Sequence, residues 1–193
     1  MKIFDLYETK DMEISDPGLK NVINLDVKLI LKSHGRLKGK KEKINIIERL
    51  INFIQVPGHR GKKHKLMKGN MTGQYNKSVK IVLEAFEIIE KKKKENPIQV
   101  LVRAIEKTAP KDEITVIEYG GARYPQAIDV APLRRVTLSL RNMVHGASDK
   151  AFNKKTTLAQ GLAQEIIAAS DGSNESVAVG KRNESEKQAD SAR

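Results

Sequence analysis

Lysine and arginine carry most of the chemistry this sequence offers. Between Gly58 and Lys80 stand Arg60, Lys62, Lys63, Lys65, Lys68, Lys77 and Lys80, with no Asp or Glu among them. An uncompensated cationic run between two apolar segments favours contact with phosphate over a merely solvated loop. A second basic stretch, Arg36, Lys38, Lys40 and Lys41, precedes the first clearly helical segment. A third group is Arg134, Arg135 and Arg141. At about 100° per helical residue, Arg134 and Arg141 lie about 20° apart with Arg135 adjacent, opposite Leu133, Val136, Leu140, Met143, Val144 and Ala147. Guanidinium forks suit phosphate oxygens and base edges better than a point charge does. Lys150, Lys154 and Lys155 extend the cationic character into the following loop.

Catalytic chemistry has little support. The chain has no Cys, which removes disulfide frameworks, zinc ribbons and thiol nucleophiles. The four histidines, His34, His59, His64 and His145, show no metal-ligand spacing and no neighbouring carboxylate pair. Gly120-Gly121 is not a dinucleotide loop, because no helix follows it, and Gly58 to Gly73 lacks a Walker ending. A protein with no cofactor, no metal and no enzymatic activity is expected.

The balance of charge points the same way. A formal net charge of +12 over 193 residues favours polyanions, nucleic acid before an anionic membrane. The 39% hydrophobic content is enough for a packed core. The opening MKIFDLYETKDMEI has no apolar stretch of the signal-peptide kind, and no apolar run approaches the roughly 18 residues of a membrane span. A cytosolic protein with no membrane partner is expected.

The elements that must position these residues read as mainly α. The expected architecture is a bundle of about six helices with one inserted β-hairpin and an extended N-terminal segment. Residues 1–43 form that extension, in which Asp16-Pro17 could cap a helix and Val22 to Leu31 could be helical or extended. Residues 44–193 form a single helical domain. Ile44 to Ile54 sets Asn45, Glu48, Arg49 and Asn52 on one narrow stripe. Asn76 to Lys93 is apolar except for Lys77, Lys80, Glu84, Glu87 and Lys91, which predicts a central place in the bundle. Asn96-Pro97 opens a helix as N-cap and first residue, and Pro110 closes it. Ile114 to Tyr119 and Tyr124 to Val130 are rich in β-formers around Gly120-Gly121-Ala122-Arg123, a hairpin at about 113–130. Pro125 restricts its strand to an edge. Pro132 starts the arginine-bearing helix, Thr157 with Gln160 forms a capping box for the next, and Asn174 to Arg193 is at best an exposed or partner-dependent helix.

The hairpin differs in charge from the rest. Asp112, Glu113, Glu118 and Asp129 outnumber Lys111 and Arg123. Tyr119 and Tyr124 flank the glycine turn, where they either stack on bases or simply cover the ribbon.

These residues resemble a known family. Asn96-Pro97-Ile98-Gln99-Val100-Leu101, Ala104-Ile105, Gly120-Gly121-Ala122, Asp129-Val130-Ala131-Pro132-Leu133-Arg134-Arg135 and Leu140-Arg141 are similar, in order and spacing, to small-subunit ribosomal protein seven. Lys43 to Asn52, Val79 to Ile89 and Lys155 to Ser170 resemble that family's first, second and fifth helices. Asp16-Pro17-Gly18-Leu19, Ile23-Asn24-Leu25 and His34-Gly35-Arg36 look like the archaeal and eukaryotic extension, and the length looks archaeal.

The resemblance implies binding to the 3′ major (head) domain of small-subunit rRNA and nucleation of head assembly. It also implies neighbours among the head and platform proteins. It places the hairpin tip, Tyr119, Gly120, Gly121, Ala122, Arg123 and Tyr124, at the exit site near mRNA and tRNA. Where the family carries Gly-Lys-Lys before its second helix, this chain has Gly73-Gln74-Tyr75. The rival readings are an architectural DNA-binding protein, which would also be small, basic and helical, and a metal-free enzyme using Asp, Glu and Tyr.

Overall fold

The computed structural model describes residues 2–4, 6–9, 12–26, 44–57 and 73–193. Two short strands, β1 (Lys2–Ile3) and β2 (Tyr7–Glu8), pair antiparallel at the start. Then come α1 (Ile46–Ile54), α2 (Tyr75–Lys93) and α3 (Pro97–Thr108). A hairpin follows, β3 (Asp112–Tyr119) and β4 (Ala122–Asp129), and then α4 (Pro132–Ala151), α5 (Leu158–Asp171) and α6 (Val177–Asp190). The mainly α architecture with one large inserted hairpin is the one the sequence predicts.

Local chemistry sets the helix boundaries. The Asn96 side chain accepts from Ile98 N–H (3.0 Å) with Pro97 at the first helical position. Thr157 and Gln160 satisfy each other's backbone in a capping box at α5. Gly172, at φ +73°, ends α5 in the left-handed conformation that a residue without Cβ adopts freely.

The centre of the bundle is α5, which packs against α2, α3, α4 and α6. The expectation that α2 is central is corrected: α2 buries Ile81, Val82, Ala85, Phe86 and Ile89 on one face and exposes the opposite one. Small residues explain why α5 wins. Gly161 lies against α4 so closely that an added Cβ would stand 2.8 Å from the Ala147 carbonyl oxygen, and a Cβ on Gly146 would stand 2.7 Å from Cδ of Glu165.

The N-terminal segment is folded onto this bundle. Ile3, Tyr7, Leu19, Val22 and Ile23 enter the hydrophobic core, and the Tyr7 ring meets Phe86 edge to face at 5.9 Å. One face of α3 grips the extended backbone. Asn96 donates to the Glu8 carbonyl (2.9 Å), and Gln99 exchanges hydrogen bonds with the Glu13 backbone (3.1 and 2.9 Å). Glu106 accepts from the N–H groups of Ser15 and Asp16 (2.6 and 3.0 Å). Asp16-Pro17 does not cap a helix. The Asp16 carboxylate accepts from Gly18 N–H (2.8 Å) and starts successive turns that drive Leu19 into the core. Full burial of such a side chain contributes about 2 kcal/mol.

Two further expectations change. The polar stripe of α1 is turned inward: Asn45, Glu48 and Arg49 are buried. Each has a partner from another segment. Asn45 donates to the Asp26 carbonyl (2.5 Å), Glu48 accepts from Tyr75 Oη (2.6 Å), and Arg49 donates to Thr137 Oγ1 (3.0 Å). The C-terminal helix is docked, not merely exposed. Ala178, Val179 and Ala189 are buried, and Ser176 at its N-cap donates to Glu165 (2.8 Å). A largely polar helix is held by three small apolar contacts and its polar tethers, which hydrophobic periodicity does not register.

Candidate nucleic-acid interface

The hairpin leaves the bundle between α3 and α4. Its register pairs Asp112 with Asp129 at the base and Tyr119 with Ala122 at the tip. Gly120 and Gly121, at φ +59° and +81°, form a two-residue turn with both residues left-handed, the type that matches the twist of a hairpin. The turn is therefore shorter than expected, with Ala122 and Arg123 inside β4. Narrow and wide pairs alternate from that turn, so Val116 and Pro125 form a wide pair that asks no ladder hydrogen bond of the proline. The tip stands in solvent, with Tyr119 81% and Tyr124 58% exposed. Cross-strand alternation puts Ile117, Tyr119, Tyr124 and Ile128 on one face.

The base of the ribbon is clamped. Arg134 at the start of α4 meets Glu113 in a bidentate pair (2.5 and 2.9 Å). The hydrogen bond that Arg134 donates to Glu113 is the main reason that the Arg134 pKa is raised. Arg193 pairs with Asp112 (2.9 Å), Ser185 donates to the Asp112 carbonyl (3.1 Å), and Glu186 accepts from Lys111 N–H (3.1 Å). Arg123 pairs with Glu118 (3.6 Å). The acidic excess read along the hairpin is thus largely matched by arginines.

The three α4 arginines do not share one fate. Arg135 pairs with Asp16 at 2.8 Å, and its side chain is 11% exposed. Burial pushes the Asp16 carboxyl up, but the hydrogen bonds from Arg135 and Gly18 N–H outweigh it and hold the group below its ordinary value. Arg135 therefore ties the N-terminal segment to α4. Arg141 is exposed and has no ion pair among the described residues. The even presentation of guanidinium groups expected from the helical wheel reduces to Arg141 and, at the hairpin base, Arg134.

Elsewhere, Lys77 and Lys80 are exposed on α2, and Lys154 and Lys155 are exposed after α4, without carboxylate partners among the described residues. Lys150 forms an ion pair with the buried Glu165 (2.6 Å). Arg36, Lys38, Lys40, Lys41, Arg60, Lys62, Lys63, Lys65 and Lys68 lie outside the described residues, as do His34, His59 and His64. His145 is half-buried on α4 and has an interaction within the chain. Where the resemblance would put a second lysine, Tyr75 turns inward to Glu48, and burial followed by that carboxylate raises its pKa.

Reading along the chain missed the buried Arg49, whose pKa burial lowers to about 10, and the buried Glu165. Glu165 holds Lys150, Ser176 and the Ala178 N–H (3.1 Å) together. Neither has a signal in one dimension, since each is buried by partners distant in sequence. Among the described residues no group of three His, Asp or Glu could hold a metal ion, and no helix is long and apolar enough to cross a membrane.

Comparison with known proteins bears on this arrangement. Residues 27–193 match the family described as ribosomal protein S7p/S5e. A small ribosomal subunit protein uS7 of Nanoarchaeum equitans is 46% identical over 196 residues, covering 100% of this chain and 99% of the relative. Proteins of the same name from Archaeoglobus fulgidus and Methanosphaera stadtmanae are 43% and 42% identical over 194 residues each. Both alignments cover 99% of this chain, and 94% and 98% of those relatives.

Proposed function

The chain belongs to the ribosomal protein S7p/S5e family, and from that premise we propose how this fold serves the ribosome. It is a structural, rRNA-binding protein of the small ribosomal subunit in the cytoplasm, active in translation and not an enzyme. Its RNA is the 3′ major (head) domain of small-subunit rRNA, whose assembly it nucleates. Residues 44–193 act as one rRNA-binding helical unit, to which 1–43 add an extension. The hairpin tip, Tyr119 to Tyr124, lines the exit site near mRNA and tRNA. The remaining partners are neighbouring head and platform proteins.

One observation supports this division most. The carboxylates Asp112 and Glu113 at the hairpin base are engaged by Arg193 and Arg134, while Arg141, Lys77, Lys80, Lys154 and Lys155 have no carboxylate partner among the described residues. Free cations on the body can neutralise phosphates, and the ribbon presents aromatic faces and glycine backbone suited to close approach.

Two measurements test the reading. Filter binding at fixed salt should show a head-domain rRNA fragment bound far more tightly than duplex DNA of equal length. Equal affinity would favour an architectural DNA-binding role. Separately, Glu118–Arg123 can be replaced by Asn-Gly, which keeps Ile117 opposite Tyr124, with Tyr124→Ser added. Subunits should still assemble with this variant but show altered exit-site tRNA retention or reading-frame maintenance. Failure of assembly, with normal decoding by whatever forms, would make the ribbon part of the rRNA anchor.

A further inference from the structure

Apolar burial does not account for the place of α6 in the bundle. Its 14 residues bury Ala178, Val179 and Ala189, and an isolated helix of that length is marginal in water. Its polar groups show what it packs for. Arg182 donates to the Lys107 carbonyl (2.6 Å), and Ser185 donates to the Asp112 carbonyl (3.1 Å). Glu186 accepts from Lys111 N–H (3.1 Å), and Arg193, just past the helix, pairs with the Asp112 carboxylate (2.9 Å). Positions 182, 185, 186, 189 and 193 follow the three-and-four spacing of one helical face. The four polar contacts from that face all end between Lys107 and Asp112, where α3 gives way to β3. Three of them land on main-chain groups, so α6 grips the path of the backbone.

The other end of α6 is fixed to the middle of the bundle. Ser176 and the Ala178 N–H both bond the buried Glu165 of α5 (2.8 and 3.1 Å). Over its length α6 rises about 21 Å, so it runs as a strut from α5 to the root of the ribbon. At that root Asp112 and Glu113 point to opposite faces of β3. Arg193 takes the first and Arg134 of α4 the second, which brackets the strand. Val130 N–H donates to the Lys111 carbonyl (2.8 Å) and ties the second leg to the first. A two-stranded sheet has no third strand to fix its direction, and the lever is long. The eight residues of β3 span about 27 Å, so a tilt of about 10° at the root carries the tip about 5 Å.

We infer that α6 is a strut that sets the direction of the hairpin, with Ser185 and Glu186 as positioning residues that act on the tip through the backbone of Lys111 and Asp112. Loss of their bonds leaves the ladder of the ribbon intact and lets the whole ribbon swing about its root. The functional consequence rests on the exit-site reading above, whereas the strut is a property of the free chain.

The chain has no Cys, so spin labels at Glu84→Cys on α2 and Ala122→Cys at the tip, both exposed positions, report the direction of the ribbon in the full-length protein. Ser185→Ala with Glu186→Ala keeps good helix formers in α6. In this pair the distribution of label distances, read by pulsed electron spin resonance, should widen by about 5 Å. Ser185→Thr with Glu186→Gln keeps a hydroxyl donor and a carbonyl acceptor and should restore the wild-type width. A wild-type width in the Ala pair overturns the strut. Widening that comes only with fast hydrogen exchange along all of α6 is loss of the helix, and it overturns the assignment to these two side chains. In subunits carrying the unlabelled Ala pair, assembly should be normal and reading-frame errors should rise, as in the Asn-Gly tip variant. Wild-type frame maintenance in the Ala pair, with errors in the tip variant, overturns the positioning role and leaves the exit-site reading standing. Wild-type maintenance in both overturns that reading together with the positioning role.

Discussion

Arg135→Gln and Arg141→Gln should produce opposite phenotypes, although both residues are arginines of α4. Arg135 and Asp16 have side chains 11% and 26% exposed and meet at 2.8 Å. An exposed pair contributes about 0–1 kcal/mol, and removing one partner of a fully buried pair costs about 3–5 kcal/mol. A mostly buried pair with one charge-assisted hydrogen bond falls between these, near 2 kcal/mol. For a chain of this length, that corresponds to a midpoint lower by about 4–8 °C.

The pH dependence has a definite sign. Asp16 is depressed below its ordinary 3.8 in the folded chain, so its contribution is complete above the unfolded pKa and fades as pH falls through the folded one. The gap between wild type and Arg135→Gln should therefore be constant at neutral pH and close in acid below that value. Arg141→Gln should keep the wild-type midpoint and lose about 0.7 to 0.9 of salt slope on rRNA. Thermal unfolding followed by circular dichroism, and filter binding over a salt series, read the two effects separately. If Arg135→Gln unfolds with the wild type and instead loses salt slope, the pair is incidental and Arg135 faces RNA.

Two other changes probe the bundle that carries the interface. Gly161→Ala puts a Cβ 2.8 Å from the Ala147 carbonyl oxygen, and such overpacking should cost about 1–3 kcal/mol in urea unfolding. Glu165→Gln leaves Lys150 without its anion in a buried network. Because Lys150 is itself a quarter exposed, this should cost about 2 kcal/mol and raise hydrogen exchange in α6 before the rest of the bundle.

Sequence alone determined what is local. Asn96-Pro97, Thr157 with Gln160, and Gly120-Gly121 act on their own backbone within a few residues, so the helix starts and the hairpin were legible from them. So was the family, because its residues recur in order along the chain. Tertiary structure decided which charges remain available, and the reason is physical: a charge is free or spent according to partners that no periodicity brings into view. Arg135 lies beside Arg134 and one helical face from Arg141, yet Asp16, 119 residues away, takes it into the body. The stripe of α1 reads as polar and is buried, because Tyr75 and Thr137 come to meet it. Electrostatic pairing depends on separation in space, and the packing of the N-terminal segment, α1, α2 and α4 on one another sets those separations.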